Sequence, residues 1–236
     1  MSLVLMYHGV YGNAHPLSAI KSEDRPYALS REAFAEQLAA LSGQAVQITF
    51  DDGDLGWALY ADALLTEHGC HGLFFVTPAL IGTPGYCSWD QLRTLVQHGH
   101  RIGTHGLTHR FLPDLDDAAC AAELEESKRQ VETELGIEVT ALSFPGGRYG
   151  ERELRLARDA GYYKCYTSEP GRASAGGLTV PRIAVRADTS LGWLQKMVDG
   201  DWLSWWKLTL VHQLKRWLKK ILGNRGYHEL YRVLRG

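Results

Sequence analysis

Residues 45–54 read Ala45-Val46-Gln47-Ile48-Thr49-Phe50-Asp51-Asp52-Gly53-Asp54. An apolar, partly β-branched run stops abruptly at two carboxylates and a glycine. That is the pattern of a buried strand running into a polar loop. Three readings suit the acidic end. Asp-Gly is a common turn dipeptide. Asp-x-Asp, through Asp52 and Asp54, suits a phosphotransferase that binds Mg²⁺. A general base beside a metal ligand suits a hydrolase.

About fifty residues on comes His105-Gly106-Leu107-Thr108-His109. Mg²⁺ prefers oxygen ligands and has no need of imidazole, so the His pair moves the balance toward the hydrolase. One carboxylate and two His form a three-ligand set for a borderline divalent cation, with one position left open for water. Zn²⁺ is the first expectation; Co²⁺, Ni²⁺ and Fe²⁺ are the alternatives. A chain with ten histidines also yields such a pair by chance. The small residues Gly103 and Thr104 just before His105 favour a site that backbone can approach closely. His98 and His100 lie before that strand, at its opposite end, and read as surface residues.

Seven short apolar runs recur: Leu3–Met6, Ala45–Phe50, Gly72–Val76, Arg101–Gly103, Ala141–Phe144, Tyr162–Thr167 and Val180–Val185. Helical patterns separate them. Ser30 opens one, with Phe34, Leu38 and Leu41 on one face. Ala58–Glu67 is closed by Gly69, and Ser88 opens a third that runs to Gly99. Asp116–Leu135 is closed by Gly136, and Glu151–Ala160 by Gly161. Strand–helix alternation at this spacing predicts parallel strands covered by helices. Polar signatures cluster just after the strands, where both barrels and open parallel sheets carry their sites. After the fifth run, Ser143-Phe144-Pro145-Gly146-Gly147-Arg148-Tyr149-Gly150 offers the amides of Gly146 and Gly147 to an oxyanion. Tyr149 is a candidate to stack on a sugar ring. The bland alternative is an ordinary strand-to-helix turn.

Thr-Phe-Asp-Asp-Gly, His-x-x-x-His, Phe-Pro-x-Gly and Pro-Arg-Ile, in this order, resemble the polysaccharide deacetylase family (carbohydrate esterase family 4) over roughly residues 1–200. The strand ending Tyr7-His8 resembles the exopolysaccharide-type branch. The resemblance implies a distorted (β/α)7-type barrel and removal of an N-acyl group from an amino sugar in a polysaccharide, oligosaccharide or lipid-linked glycan. It maps Asp51 to the catalytic base and Asp52, His105 and His109 to the metal ligands. Two family features lack a clean match. The Arg before the Pro of the third motif is replaced by Ser143 or Phe144, so Arg148 and Arg182 become candidates to orient the base. The late Leu-x-His that supplies a general acid is matched only superficially by Leu210-Val211-His212. His8, at the end of the first strand, is the preferred acid or substrate contact.

The 236 residues carry a net charge of -2, and Cys70, Cys87, Cys120 and Cys165 show no paired spacing. They read as free thiols in a reducing, cytoplasmic compartment. From Trp202 on there are eight Lys or Arg and one acid, Glu229, a net of +7, which leaves -9 for residues 1–201. The expected division is therefore a barrel over 1–200 and a basic amphipathic helical tail over 201–236. On that helix Leu203, Trp206, Leu210, Leu214, Trp217 and Ile221 share one stripe, with Lys215, Arg216, Lys219 and Lys220 opposite. Tryptophans and basic residues over 202–222 suit the face of an anionic membrane. Packing on the barrel is the alternative, but it leaves Trp205 on the polar side unexplained. An acidic main body argues against nucleic acid. A catalytically silent glycan-binding module at the membrane is the other functional class that these residues allow.

Overall fold

The computed structural model describes residues 2–174 and 176–214. Among the described residues ten strands appear in chain order: β1 Leu3–Tyr7, β2 Val10–Tyr11, β3 Leu29–Ser30, β4 Val46–Asp52, β5 Gly72–Val76, β6 Arg101–Thr104, β7 Ala141–Ser143, β8 Lys164–Tyr166, β9 Thr179–Val180 and β10 Ile183–Ala184. Eight of them form one all-parallel sheet in the order β10-β1-β4-β5-β6-β7-β8-β9. β9 and β10 stand at opposite ends of that order, yet only Pro181 and Arg182 separate them in the chain. The seventh predicted run is thus one segment that bridges β8 to β1 and curls the sheet into a distorted barrel. Pro181 has no N–H to give a ladder, and the strand breaks there.

The helices are α1 Arg31–Leu41, α2 Asp62–Glu67, α3 Trp89–Gln97, α4 Asp117–Leu135, α5 Glu151–Asp159 and α6 Leu191–Asp199. Their starts follow side-chain capping of otherwise orphaned amides. Ser30 accepts from Ala33, Ser88 from Gln91 in a capping box, and Asp116 from Ala119. Gly136 ends α4 in the left-handed region at φ 67°. The helix expected from Ala58 begins as a π-turn over Trp57–Ala61.

Alternation along the strands sorts two apolar layers. Val4, Leu73, Phe75, Ala141, Tyr166 and Val180 fill the barrel interior. The opposite face carries Tyr7, Phe50 and Phe74, which pack with Phe34 and Trp57 of the helical layer. Truncating a buried ring such as Phe75 to Ala would cost about 3–5 kcal/mol. Gly103 is required by close approach: a Cβ there would lie 2.6 Å from the Phe75 ring and 2.7 Å from the Ala141 carbonyl.

The chain divides into two compact units, Met1–Leu191 and Gly192–Gly236. In the second, residues 202–214 are helical, and Asp201 caps them through the Ser204 amide at 2.8 Å. Trp205 is half-buried and its indole N–H donates to the Met197 carbonyl at 3.2 Å. That bond accounts for a residue that the periodicity left on the polar side. Trp202, at 74 % exposure, and Leu203, Trp206, Leu210, Val211 and Leu214 all face solvent. Lys215, Arg216, Trp217, Lys219, Lys220 and Ile221 lie outside the described residues. Among the described residues no helix is long and apolar enough to cross a membrane.

Candidate metal centre

β4 delivers the two carboxylates. Neighbours on an extended strand point to opposite faces, so Asp51 and Asp52 should diverge. They do not, because Asp52 adopts φ 90° and ends the strand. Both then reach His105, whose Nε2 lies 4.0 Å from Asp51 Oδ2 and 3.4 Å from Asp52 Oδ1. His109 brings its Nε2 to 3.3 Å from the same Asp52 oxygen. Asp52 and His109 (φ 64°) are the two non-glycine residues at positive φ among the described residues. Such conformations cost of order 1–3 kcal/mol and concentrate at functional sites.

Asp52, His105 and His109 each offer a ligand atom, and all three atoms lie within 4.8 Å of one another. Two ligands held tetrahedrally at ~2.0–2.1 Å from one ion stand about 3.3–3.4 Å apart. The Asp52–imidazole separations match that spacing and exceed the ordinary hydrogen-bond range. Asp52 Oδ1 is buried with no hydrogen-bond partner. His105 Nδ1 donates to the Ser143 carbonyl at 2.8 Å, which leaves the Nε2 lone pair for a ligand. The donor set, its spacing and the orphaned oxygen all fit a divalent cation. Burial alone would raise the Asp52 carboxyl, but the imidazoles of His109, His8 and His105 outweigh it and hold the group below its usual range. Burial likewise favours neutral His105, against the raising effect of Asp51 and Asp52.

Asp51 is held differently. Arg182, 1 % exposed, makes a bidentate pair to it, Nη1 to Oδ1 at 2.7 Å and Nη2 to Oδ2 at 2.8 Å. The Ser143 hydroxyl donates to Oδ2 at 2.9 Å. Burial pushes the Asp51 carboxyl up; Arg182 and His105 pull it down further, and the net shift is downward. Asp51 is therefore an ionised acceptor, fixed in place, beside the cation position. Arg182 enters from the break between β9 and β10 and lies over the Phe75 and Tyr166 rings at the top of the barrel interior.

His8 is half-buried against the Tyr27 ring at 4.9 Å, and its Nδ1 is buried without a partner. The Trp57 indole fixes its backbone by donating to the His8 carbonyl at 2.7 Å. Gly146 and Gly147 take φ 62° and 64°, and the Gly147 N–H is committed to the Phe144 carbonyl at 2.8 Å. Tyr149 stacks on Phe144 at 4.7 Å, so one face of its ring is occupied. Arg148 pairs with Asp114 at 2.8 and 2.6 Å and lies over Phe111. His212 lies on the 202–214 helix of the second unit. His98 is exposed, but His100 is buried, contrary to the expectation of a surface residue. Its Nε2 donates to Asp62 at 3.0 Å and its Nδ1 accepts from the Gly72 amide at 3.1 Å. Sequence reasoning assigned Ser143 no role at the site. Its signal was its place, a hydroxyl at the carboxyl end of a strand, as Asp51 is.

The model of the polysaccharide deacetylase family matches residues 39–165. YxkH of Bacillus subtilis (strain 168), named for the same family, is 32 % identical over 133 residues, 56 % of this chain and 48 % of that protein. The match spans about half the length of that curated relative. Among solved structures, the deacetylase PplD of Streptococcus pyogenes, in complex with acetate, aligns with a TM-score of 0.72 at 19 % identity, over 83 % of this chain and 97 % of that one. IcaB from Ammonifex degensii gives 0.69 at 24 %, over 82 % and 94 %. At such identities these two establish the fold.

Proposed function

The chain belongs to the polysaccharide deacetylase family, and from that premise we propose that it is a metal-dependent hydrolase that removes an N-acyl group, acetyl first, from an amino sugar in a glycan. The observation that carries this reading is one buried carboxylate clamped by Arg182 next to a second that faces two imidazoles across an orphaned oxygen. Asp52, His105 and His109 are the residues that would hold the cation. When bound, such a cation polarises the amide carbonyl and makes water a stronger acid. Zn²⁺ suits two imidazoles and a carboxylate best, ahead of Co²⁺, Ni²⁺ and Fe²⁺.

Asp51 accepts the proton of the attacking water, and Arg182 and Ser143 keep its carboxylate oriented for that transfer. The backbone N–H of Gly146 is the candidate donor to the oxyanion. The half-buried imidazole of His8 is the candidate to give a proton to the departing amine. The products are a carboxylate and a free amine. Incubation with an N-acetylated glucosamine oligomer should release acetate and lower the oligomer mass by one acetyl group per turnover. Chelation should stop this and added Zn²⁺ restore it. Unchanged turnover after complete metal removal would reject the reading. Binding of the oligomer without turnover would favour the silent glycan-binding module.

The finer part of the proposal concerns place. The solvent-facing Trp202, Leu203, Trp206, Leu210 and Leu214 and the +7 charge from Trp202 on support docking on an anionic membrane, with a lipid-held glycan as substrate. The four free cysteines support the cytoplasmic face. Sedimentation with anionic vesicles should capture the full chain at low salt and release it at high salt. No capture at low salt rejects this part alone.

A further inference from the structure

Both imidazoles of the site belong to the loop 105–109; the Leu107 carbonyl accepts from the Ala79 N–H at 3.0 Å, and a buried carboxylate on α4 takes the loop's own donors. Glu123 is 6 % exposed. Its Oε2 accepts the backbone N–H of Leu107 at 2.8 Å and of Thr108 at 3.0 Å, and its Oε1 accepts the Thr108 hydroxyl. A buried charge is costly unless its oxygens are hydrogen-bonded. Here three donors from two adjacent residues satisfy it, and charge-assisted bonds of this kind are the strong ones.

Two consecutive amides reach one oxygen only if the chain turns tightly around it. The loop does so with Gly106 at φ 70° and His109 at φ 64°. A left-handed non-glycine residue is disfavoured by its Cβ, and here the turn is held by these bonds. The two imidazoles differ in how they are held. His105 follows β6 directly: its N–H donates to Val76 at 2.7 Å and its ring to Ser143 at 2.8 Å. His109 lies at the far end of the loop, one residue beyond Thr108. The clamp therefore bears on His109, whose Nε2 it holds 3.3 Å from Asp52.

We propose that Glu123 is a positioning residue for the metal centre, acting through His109 by holding the 105–109 loop in its left-handed turn. The proposal rests on the metal reading above. Its test is Zn²⁺ affinity of the full chain, titrated against a chromophoric chelator, for the wild type, Glu123→Ala, Glu123→Gln, His109→Ala and the Glu123→Ala/His109→Ala double variant. Thermal midpoints of the metal-free proteins are taken in parallel. Glu123→Ala should weaken Zn²⁺ about 10–100-fold, as loss of an outer partner of a ligand does. Glu123→Gln, which still accepts the two amides, should recover most of it. The double variant should bind no more weakly than His109→Ala alone, because the pair acts as one unit. If Glu123→Ala does not fold, Thr108→Val, which removes only the hydroxyl, should show a smaller loss of the same kind. Wild-type Zn²⁺ affinity with a lowered midpoint in Glu123→Ala would overturn the proposal, as would losses that add in the double variant. If His109→Ala itself leaves Zn²⁺ affinity unchanged, the metal reading falls, and this proposal with it.

Discussion

Among the described residues, two clusters each join one carboxylate to two histidines, at opposite ends of β5 and β6. At the carboxyl end, Asp52 faces His105 and His109 at 3.4 and 3.3 Å, and its Oδ1 is buried without a hydrogen bond. At the amino end, Asp62 accepts from His98 at 2.9 Å and from His100 at 3.0 Å, and His100 also takes the Gly72 amide. The residue types are the same. The second cluster is spaced for hydrogen bonds, and both ring nitrogens of His100 have protein partners. It is a brace between α2 and the start of β5 and β6. The first is spaced for a shared ion and leaves an oxygen unsatisfied. The wider spacing and the orphaned oxygen set the candidate ligand set apart from the brace.

The comparison breaks most sharply on metal. His105→Ala should lose bound divalent metal and with it turnover, while His98→Ala should keep both. Metal content by elemental analysis after dialysis decides it, and metal retained in His105→Ala would make the first cluster a brace as well. Next, Asp51→Asn should retain metal and lose about 10²–10⁴-fold in rate, the worth of a general base. Near-normal rate would move the base elsewhere.

Stability orders the remaining effects. Arg182→Met leaves the Asp51 charge buried and unpaired, which should cost about 3–5 kcal/mol. Asp62→Ala removes the acceptor of a buried imidazole N–H and should cost about 1–3 kcal/mol with metal affinity unchanged. Urea unfolding of the two variants side by side checks the order, and a larger loss from Asp62 would reverse the roles assigned to the two ends.

The smallest effect is the pH dependence of the metal-free protein, and its sign differs between the clusters. Burial would lower His109, but Asp52 outweighs it and raises the group above 6.5. Its contribution is full below 6.5 and is lost as pH rises through the raised value. Burial lowers His100 below 6.5 and outweighs Asp62. Its contribution is present above 6.5 and is lost as pH falls through the lowered value. Thermal midpoints across roughly pH 5–8 should therefore show the gap between wild type and His109→Asn narrowing as pH rises. The gap to His100→Asn should narrow as pH falls. Gaps that run parallel would show that neither imidazole titrates differently on folding.

Much of this was legible locally. Strand-length apolar runs, helix caps at Ser30, Ser88 and Asp116, and the five-residue His105–His109 loop are short-range patterns. Each is set by backbone geometry or by side chains a few residues apart. The alternation of strand and helix determined the parallel α/β class, and the adjacent carboxylates with the His pair determined the candidate ligand set.

Tertiary structure alone decided which side chains meet across the sheet. Arg182 is 131 residues from Asp51 in sequence and Ser143 is 92, and their meeting depends on strand order and register. Between Arg148 and Arg182 no local rule could choose. The break at Pro181 aims Arg182 at Asp51, while Arg148 pairs with Asp114. His100 looked like its exposed neighbour His98 until α2 brought Asp62 over it. Glu123 shares the inward face of α4 with Cys120, Leu124 and Val131, but only the packed structure shows that the ligand loop turns around its carboxylate. Periodicity tells which residues share a face of one element. What lies across from that face is fixed by the packing of elements distant in the chain, and there the hydrogen bonds of the site are made.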